Sequence, residues 1–201
     1  MAKCRATEII CLLDRSRSMR DLREETNHVF NSMVLSHQSR QSGASLTLIL
    51  FDGEMKTRYL EVDIHLVPLL DEESYPLGQG TALFDAIGSA LDQAEERLRR
   101  RPPGQRPSRI VFLVLTDGFE NGSSRCSRQE IQARIERLQE LRNWRFVFFG
   151  ASPATLWETR NLSMGDHFNY RDQAREDREG FGWIQQAIEP AGTLNRSRIL
   201  H

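Results

Sequence analysis

Lysine is nearly absent from this sequence, cysteine is rare, and no long apolar run occurs. Lys3 and Lys56 are the only lysines, so arginine supplies almost all of the 27 basic residues, which 28 acidic residues balance to a formal net charge of −1. This balance argues against a global electrostatic attraction to nucleic acid or to a membrane surface. The apolar runs stay far below the roughly 20 residues of a membrane-spanning helix, so we expect no membrane insertion.

Cysteine and histidine provide no pattern for a zinc site or for nucleophilic catalysis. The three cysteines, Cys4, Cys11 and Cys126, lack metal-ligand spacing. None of the five histidines stands at ligand spacing from a cysteine, a carboxylate or a second histidine. An odd number of cysteines without a secretory signal indicates free thiols in a reducing compartment. We therefore expect a cytoplasmic protein.

Strand patterns alternate with helical patterns along the chain, which favours a mostly parallel sheet with helices on both faces. The 201 residues suit a single domain spanning 1–201, with a core at about 7–190 and a loosely held tail at 191–201. Strands are predicted at Thr7–Asp14 and at residues 46–51, 110–115, 146–149 and, weakly, 167–170. Helices are predicted at about residues 20–38, 81–96, 127–141, 154–160 and 181–188.

Turn and capping residues define the boundaries of these elements. Asp52 and Gly53 follow the second strand as a hairpin signal, so residues 55–62 are predicted to pair back antiparallel as an edge strand. Ser127 with Glu130 predicts a capping box at the start of the third helix. Ser18 is predicted to cap the first helix.

Five oxygen-bearing side chains stand where strands end or helices begin. Asp14 closes the first strand and is followed by Ser16 and Ser18, Asp117 follows the most apolar strand, and Thr81 precedes the second helix. In open α/β sheets, ligands bind outside the carboxyl ends of the strands, where the strand order reverses. Because hard oxygen ligands suit Mg²⁺, the sequence predicts a divalent-cation site there.

The same residues resemble a known family. The sequence resembles the D-x-S-x-S…T…D pattern of von Willebrand factor A domains, with Asp14, Ser16, Ser18, Thr81 and Asp117 at the five positions. In that family the pattern forms the metal-ion-dependent adhesion site (MIDAS). The flanking segments 80–86, 115–118 and 149–151 look like their counterparts in stand-alone members from bacteria and phages. The resemblance covers about residues 7–190.

This resemblance implies a Rossmann-like three-layer sandwich with one antiparallel edge strand. It also implies that Ser16, Ser18 and Thr81 give hydroxyl oxygens to Mg²⁺ or Mn²⁺, with Asp14 and Asp117 bound directly or through water. A protein partner would supply an Asp or Glu side chain as the remaining ligand, within a bacterial multi-protein system and without enzymatic activity. This sequence departs from the family at Arg17, where glycine, with its greater backbone freedom, is usual.

Three other interpretations stay open at this point. Asp14, Ser16 and Ser18 can serve a helix cap and loop hydrogen bonds alone. An Mg²⁺-dependent phosphoryl-transfer enzyme could use a similar sheet, although Ser16 replaces the second aspartate of a haloacid-dehalogenase-like site and no P-loop is present. A nucleic-acid-associated factor could use the arginine-rich connector 97–109. Its basic residues are Arg97, Arg99, Arg100, Arg101, Arg106 and Arg109.

Overall fold

The computed structural model describes residues 7–39, 43–117, 120–141, 143–150, 162 and 166–169. These residues form a layered α/β structure of six strands, three α-helices and short 3-10 turns. The strands are β1 (Thr7–Asp14), β2 (Ala44–Phe51), β3 (Met55–Asp63), β4 (Arg109–Leu115), β5 (Trp144–Gly150) and β6 (Asp166–Asn169). The helices are α1 (Arg23–Ser39), α2 (Leu83–Arg100) and α3 (Arg128–Glu140).

One sheet runs through the molecule in the strand order β3-β2-β1-β4-β5-β6. All neighbours pair in parallel except β2 and β3, which are antiparallel. This confirms the expected mostly parallel sheet with one antiparallel edge strand. The order reverses between β1 and β4, so the ends of these two strands flank the point where open α/β sheets bind ligands.

Helices cover both faces of the sheet because β1 alternates its side chains between two apolar cores. Ile9, Cys11 and Leu13 pack in the core that contains Phe30 and Met33 of α1. On the opposite face, Ile10 and Leu12 pack in the core built with α2 and α3. Because both faces are covered, every residue of β1 except Thr7 is buried. The predicted three-layer architecture is confirmed.

The structure corrects two helix starts. Ser18 does not cap α1, because residues Arg17–Leu22 form a 3-10 turn before α1 begins at Arg23. Thr81 lies two residues before α2, which begins at Leu83. The capping box is confirmed: the Ser127 hydroxyl accepts from the Glu130 amide, and the Glu130 carboxylate accepts from the Ser127 amide.

Two further predictions concern the ends of the chain. The weak strand is confirmed as β6. The predicted helices at 154–160 and 181–188 and the tail at 191–201 lie outside the described residues. In the described part of the chain, no helix is long and apolar enough to cross a bilayer.

Candidate metal centre at the carboxyl end of the sheet

Asp14 is the innermost polar side chain of the predicted site. It ends β1 and is fully buried. Its Oδ1 accepts a hydrogen bond of 2.7 Å from the backbone N–H of Ser16, and its Oδ2 accepts one from the hydroxyl of Thr116. Thr116 directly follows β4, so this side-chain bond joins the two strands across the switch point. The carboxylate is thereby fixed at the place that the strand order selects.

Asp14 lies among neutral hydrogen-bond donors. Within the described residues, no Lys, Arg or His nitrogen forms an ion pair with it, and the neighbouring Arg15 pairs with Asp52 at 3.2 Å instead. Burial raises the pKa of Asp14 to about 6, although hydrogen bonds from Thr116 and Ser16 oppose the shift and the charge of Asp52 adds to it. A buried carboxylate in this state gains stability from a nearby cation.

Ser16 and Ser18 form a hydroxyl pair beside Asp14. Their Oγ atoms lie 3.0 Å apart; Ser16 is buried and Ser18 is exposed. Arg17, between them, has an exposed side chain, and positive φ angles of non-glycine residues in the described structure are confined to Glu61. The loop therefore accommodates arginine where the family usually has glycine, since glycine's conformational freedom is not needed at this position.

Thr81 is fixed from two sides through its backbone. Its N–H donates to Oδ1 of Asn121 at 3.0 Å, and its carbonyl accepts from the N–H groups of Asn121 and Gly122 at 3.1 and 3.2 Å. The next amide, that of Ala82, donates to the carbonyl of Asp52 at 2.8 Å. The buried Thr81 is thus held between the end of β2 and the loop that follows β4.

Asp117 stands at the mouth of the same edge. It follows Thr116 and is partly exposed, and its backbone N–H donates to Sδ of Met19 at 3.2 Å. This contact ties the start of the loop after β4 to the 3-10 turn after β1. The structure therefore links Asp14, Ser16 and Ser18 directly, whereas Thr81 and Asp117 are positioned on neighbouring loops through backbone contacts.

Two carboxylates connect the loop after β4 to α2, one from the loop and one from the helix. Glu120 accepts the N–H of Phe84 in the first turn of α2 at 2.9 Å. In the opposite direction, Asp85 accepts three backbone N–H groups. Burial raises the pKa of Asp85, but the three amides outweigh it, so this pKa lies below its usual value. The donors are the amides of Ser124, Arg125 and Cys126.

Tyr75 holds the Asp14 loop from the other side. The residue is fully buried, and its hydroxyl donates to the backbone carbonyl of Asp14. Three residues later, the N–H of Gly78 donates to the carbonyl of Arg15 at 2.6 Å. A Cβ at Gly78 would lie 1.6 Å from Oδ2 of Asp52, so only glycine permits this approach. Residues 75–81 therefore connect the aspartate loop to Thr81.

The sequence prediction missed Tyr75, Glu120 and Asn121. These side chains hold neighbouring backbone segments in place and do not form a sequence motif. The run of turn-forming polar residues at 120–124 was the one feature of the sequence that pointed to a structured loop there. Asp52 was predicted to be a hairpin residue, and it does accept the N–H of Glu54 at 2.8 Å. It also binds Arg15, a contact that sequence spacing does not indicate.

The chemistry of the donor set is that of a hard-cation site. The described residues contain no group of three or more His, Cys, Asp and Glu side chains arranged to hold a metal ion. A cation here would depend on hydroxyl oxygens beside the carboxylates. Oxygen ligands of this kind fit Mg²⁺ or Mn²⁺ better than a soft metal. The uncompensated charge of Asp14 and the hydroxyl pair of Ser16 and Ser18 therefore fit a divalent ion.

Sheet order, covered faces and an oxygen-rich loop at the switch point define a Rossmann-like domain with a candidate cation site. The sequence matches the von Willebrand factor type A domain family over residues 8–180. The chain belongs to that family, whose members mediate protein–protein interactions. No curated protein matches the sequence significantly.

Solved structures share this fold at low sequence identity. The ArnB paralog VWA2 from Sulfolobus acidocaldarius is 18% identical with a TM-score of 0.53, covering 86% of this chain and 44% of that chain. Proximal thread matrix protein 1 from the mussel byssus, solved with a zinc-occupied MIDAS motif, is 16% identical with a TM-score of 0.51, covering 86% and 44%. The chain spans less than half the length of these proteins.

Proposed function

We propose that this protein is a metal-dependent interaction module that binds a carboxylate of a protein partner through Mg²⁺ or Mn²⁺. The ion would be held by Asp14, Ser16, Ser18, Thr81 and Asp117. A bound divalent ion supplies a Lewis-acidic position at which an outside Asp or Glu oxygen completes the coordination. The partner would belong to the multi-protein system in which the domain operates.

The observation that carries this proposal is the electrostatic state of Asp14. A fully buried carboxylate with a raised pKa and no ion-pair partner in the described part of the chain reduces the stability of the fold. The hydroxyl groups of Ser16 and Ser18 lie beside it. A cation explains this arrangement, because it would turn an unfavourable buried charge into a binding group.

The other residues have distinct contributions. Ser16 is buried and Ser18 is exposed, so the two hydroxyl groups extend from the interior beside Asp14 to the protein surface. Asn121 and Tyr75 hold the backbones of Thr81 and Asp14 in place. A site whose ligand loops are fixed in advance loses less conformational entropy on binding.

The choice of metal follows from the donor atoms. The mussel protein has zinc in its MIDAS motif. In this chain the proposed ligands are all oxygen atoms, which favour Mg²⁺ or Mn²⁺ over a metal that prefers nitrogen and sulfur. We therefore expect millimolar Mg²⁺ to raise the melting temperature, because a ligand that binds the folded state alone stabilises it.

The test compares Ser16→Ala and Asp117→Ala with Ser32→Ala, a matched change of a buried serine on α1. The two site variants are expected to keep the fold but lose both the Mg²⁺-induced rise in melting temperature and the metal-dependent capture of a partner. Ser32→Ala is expected to retain both. Affinity purification with Mg²⁺ and with chelator identifies the partner. If partner capture survives both site changes and excess chelator, the proposal is wrong.

A further inference from the structure

The arginine-rich connector divides into internal and surface residues. Arg97 bonds at 2.5 Å to Glu8, which is buried in β1, and at 3.1 Å to Glu61. Arg101 also pairs with Glu61. Burial raises the pKa of Glu8, and the Arg97 charge opposes this. These two arginines bind acidic side chains of β1 and the edge strand β3, and so they stabilise the fold.

Arg99 and Arg106 instead line a cleft at the end of the sheet opposite to the candidate metal centre. The cleft lies beside the start of β5, between the C-terminal parts of α2 and α3, and has a volume of about 550 Å³. This volume falls within the roughly 300–1,000 Å³ of ligand-binding pockets. Its other lining residues include Arg134, Arg137, Asp92 and Glu95.

The floor of the cleft is apolar. Trp144 is buried and stacks on Phe146 with ring centroids 5.9 Å apart. Leu98 and Leu138 add aliphatic surface, and Leu141 is 60% exposed at the lip. Leu141 and the apolar floor together offer contact surface to one incoming apolar side chain.

The rim carries an excess of positive charge. Arg134 is neutralised by Asp92 at 2.6 Å and Glu95 at 2.5 Å, and Arg137 bonds to Glu95 at 2.6 Å. The lining thus has four arginines and two acidic residues. Arg99 has a side-chain exposure of 72% and pairs with Glu96 at 2.5 Å, but Glu96 also bonds to Arg100 at 2.7 Å, so two arginines share one carboxylate. The surface therefore complements a ligand with negative charges around an apolar group.

We propose that this cleft is a second protein-interaction surface, which binds an acidic segment of a partner with one large apolar side chain. The apolar side chain would lie against Trp144 and Leu141, and the acidic groups would meet Arg99. A phosphate backbone lacks an apolar group that could lie against Trp144 and Leu141. The observations thus favour a protein segment over nucleic acid.

Binding at the cleft does not require the metal centre. The cleft and the candidate cation site lie at opposite ends of the parallel strands, so one partner can be bound at each end. The protein would then connect two proteins. Because the cleft uses no proposed metal ligand, chelator is expected to leave its binding unchanged, which separates a failure here from a failure of the proposed function.

The experiment uses labelled ten-residue peptides with glutamate on both sides of a central Leu, Phe or Trp, measured by fluorescence anisotropy on the full chain in chelator. Arg99→Glu and Leu141→Asp are each expected to weaken binding at least tenfold. Two matched controls are expected to leave it unchanged. Arg100→Glu alters an equally exposed arginine that shares Glu96 with Arg99, and Leu66→Asp alters a leucine with 76% exposure away from the cleft.

Peptide chemistry provides the second set of controls. Replacing the central residue by alanine, or the glutamates by glutamine, is expected to abolish binding. The proposal is overturned if no peptide of the set binds, or if the controls weaken binding as much as Arg99→Glu does. It is also overturned if single-stranded DNA competes through Arg99 while Leu141→Asp has no effect, because that result identifies a nucleic-acid surface.

Discussion

Replacing Asp14 by asparagine is expected to stabilise the metal-free protein at neutral pH. The substitution removes the charge and keeps the shape. The amide oxygen can still accept the N–H of Ser16, and the Thr116 hydroxyl can reorient to accept from the new NH₂ group. The buried, uncompensated charge is thereby lost with little change in hydrogen bonding, so the fold should become more stable.

The magnitude follows from the pKa of Asp14. Burial raises it from 3.8 to about 6, and one unit corresponds to about 1.36 kcal/mol. The charged form therefore reduces the free energy of unfolding by about 3 kcal/mol, which corresponds to about 6–12 °C in melting temperature for a chain of this size.

The sign of the pH dependence is fixed by proton binding. Between pH 3.8 and about 6 the unfolded chain has lost the proton of Asp14 while the folded chain still holds it. The contribution of Asp14 to stability therefore falls as pH rises through this window and stays constant above it. Asp14→Asn should match the unmodified protein near pH 4 and exceed it in stability above pH 6.

Urea unfolding in chelator, from pH 4 to pH 7.5, provides the measurement, and Asp85→Asn is the matched control. Asp85 is also buried, but three backbone amides outweigh its burial and hold its pKa below the usual value. Loss of the Asp85 charge should therefore destabilise the protein at neutral pH.

With Mg²⁺ added, the unmodified protein should gain stability and Asp14→Asn should gain less. The reasoning is refuted if Asp14→Asn destabilises the metal-free protein at pH 7.5, or if its effect is independent of pH.

Three further substitutions test the framework around the site. Tyr75→Phe leaves the buried carbonyl of Asp14 without its donor and should cost about 1–3 kcal/mol in urea unfolding; an unchanged stability would contradict the observed bond. Asn121→Ala removes the acceptor for the Thr81 amide and should reduce the Mg²⁺-induced rise in melting temperature, measured by calorimetry, while leaving the circular dichroism spectrum intact. Ser127→Ala should lower stability by about 1 kcal/mol through loss of the α3 cap, and a changed Mg²⁺ response would contradict its placement outside the site.

The fold was predictable because local patterns and tertiary structure agree. The apolar runs of β1 and β4 are buried on both faces, as parallel strands are. The hairpin at Asp52 and the cap at Ser127 formed where the sequence indicated. The predicted start of α1 was wrong, because the hydroxyl of Ser18 pairs with that of Ser16 and does not cap the helix.

The support around the candidate site was not predictable, because its contacts join distant parts of the chain through backbone atoms. The bonds from Tyr75 to the Asp14 carbonyl and from Asn121 to Thr81 span 61 and 40 residues. Every residue has backbone N–H and C=O groups. A side chain that hydrogen-bonds to a distant backbone group therefore produces no recognisable spacing of residues in the sequence. The electrostatic state of Asp14 likewise depends on where Arg15 points, which only the packed structure defines.

Three carboxylates at this edge of the sheet differ in how their negative charges are matched by donors. Asp85 accepts three backbone amides, and Asp52 combines an arginine with two amides. Each charge is matched by donors that hold a neighbouring loop. Asp14 accepts hydrogen bonds from Ser16 and Thr116, and its burial still raises its pKa to about 6. Among the described residues, the same edge therefore contains two carboxylates whose charges are matched by donors and one, beside the Ser16–Ser18 hydroxyl pair, whose pKa stays raised. A domain that used Asp14 for packing alone would be more stable with a neutral residue there, and a divalent cation, as proposed above, would remove this cost.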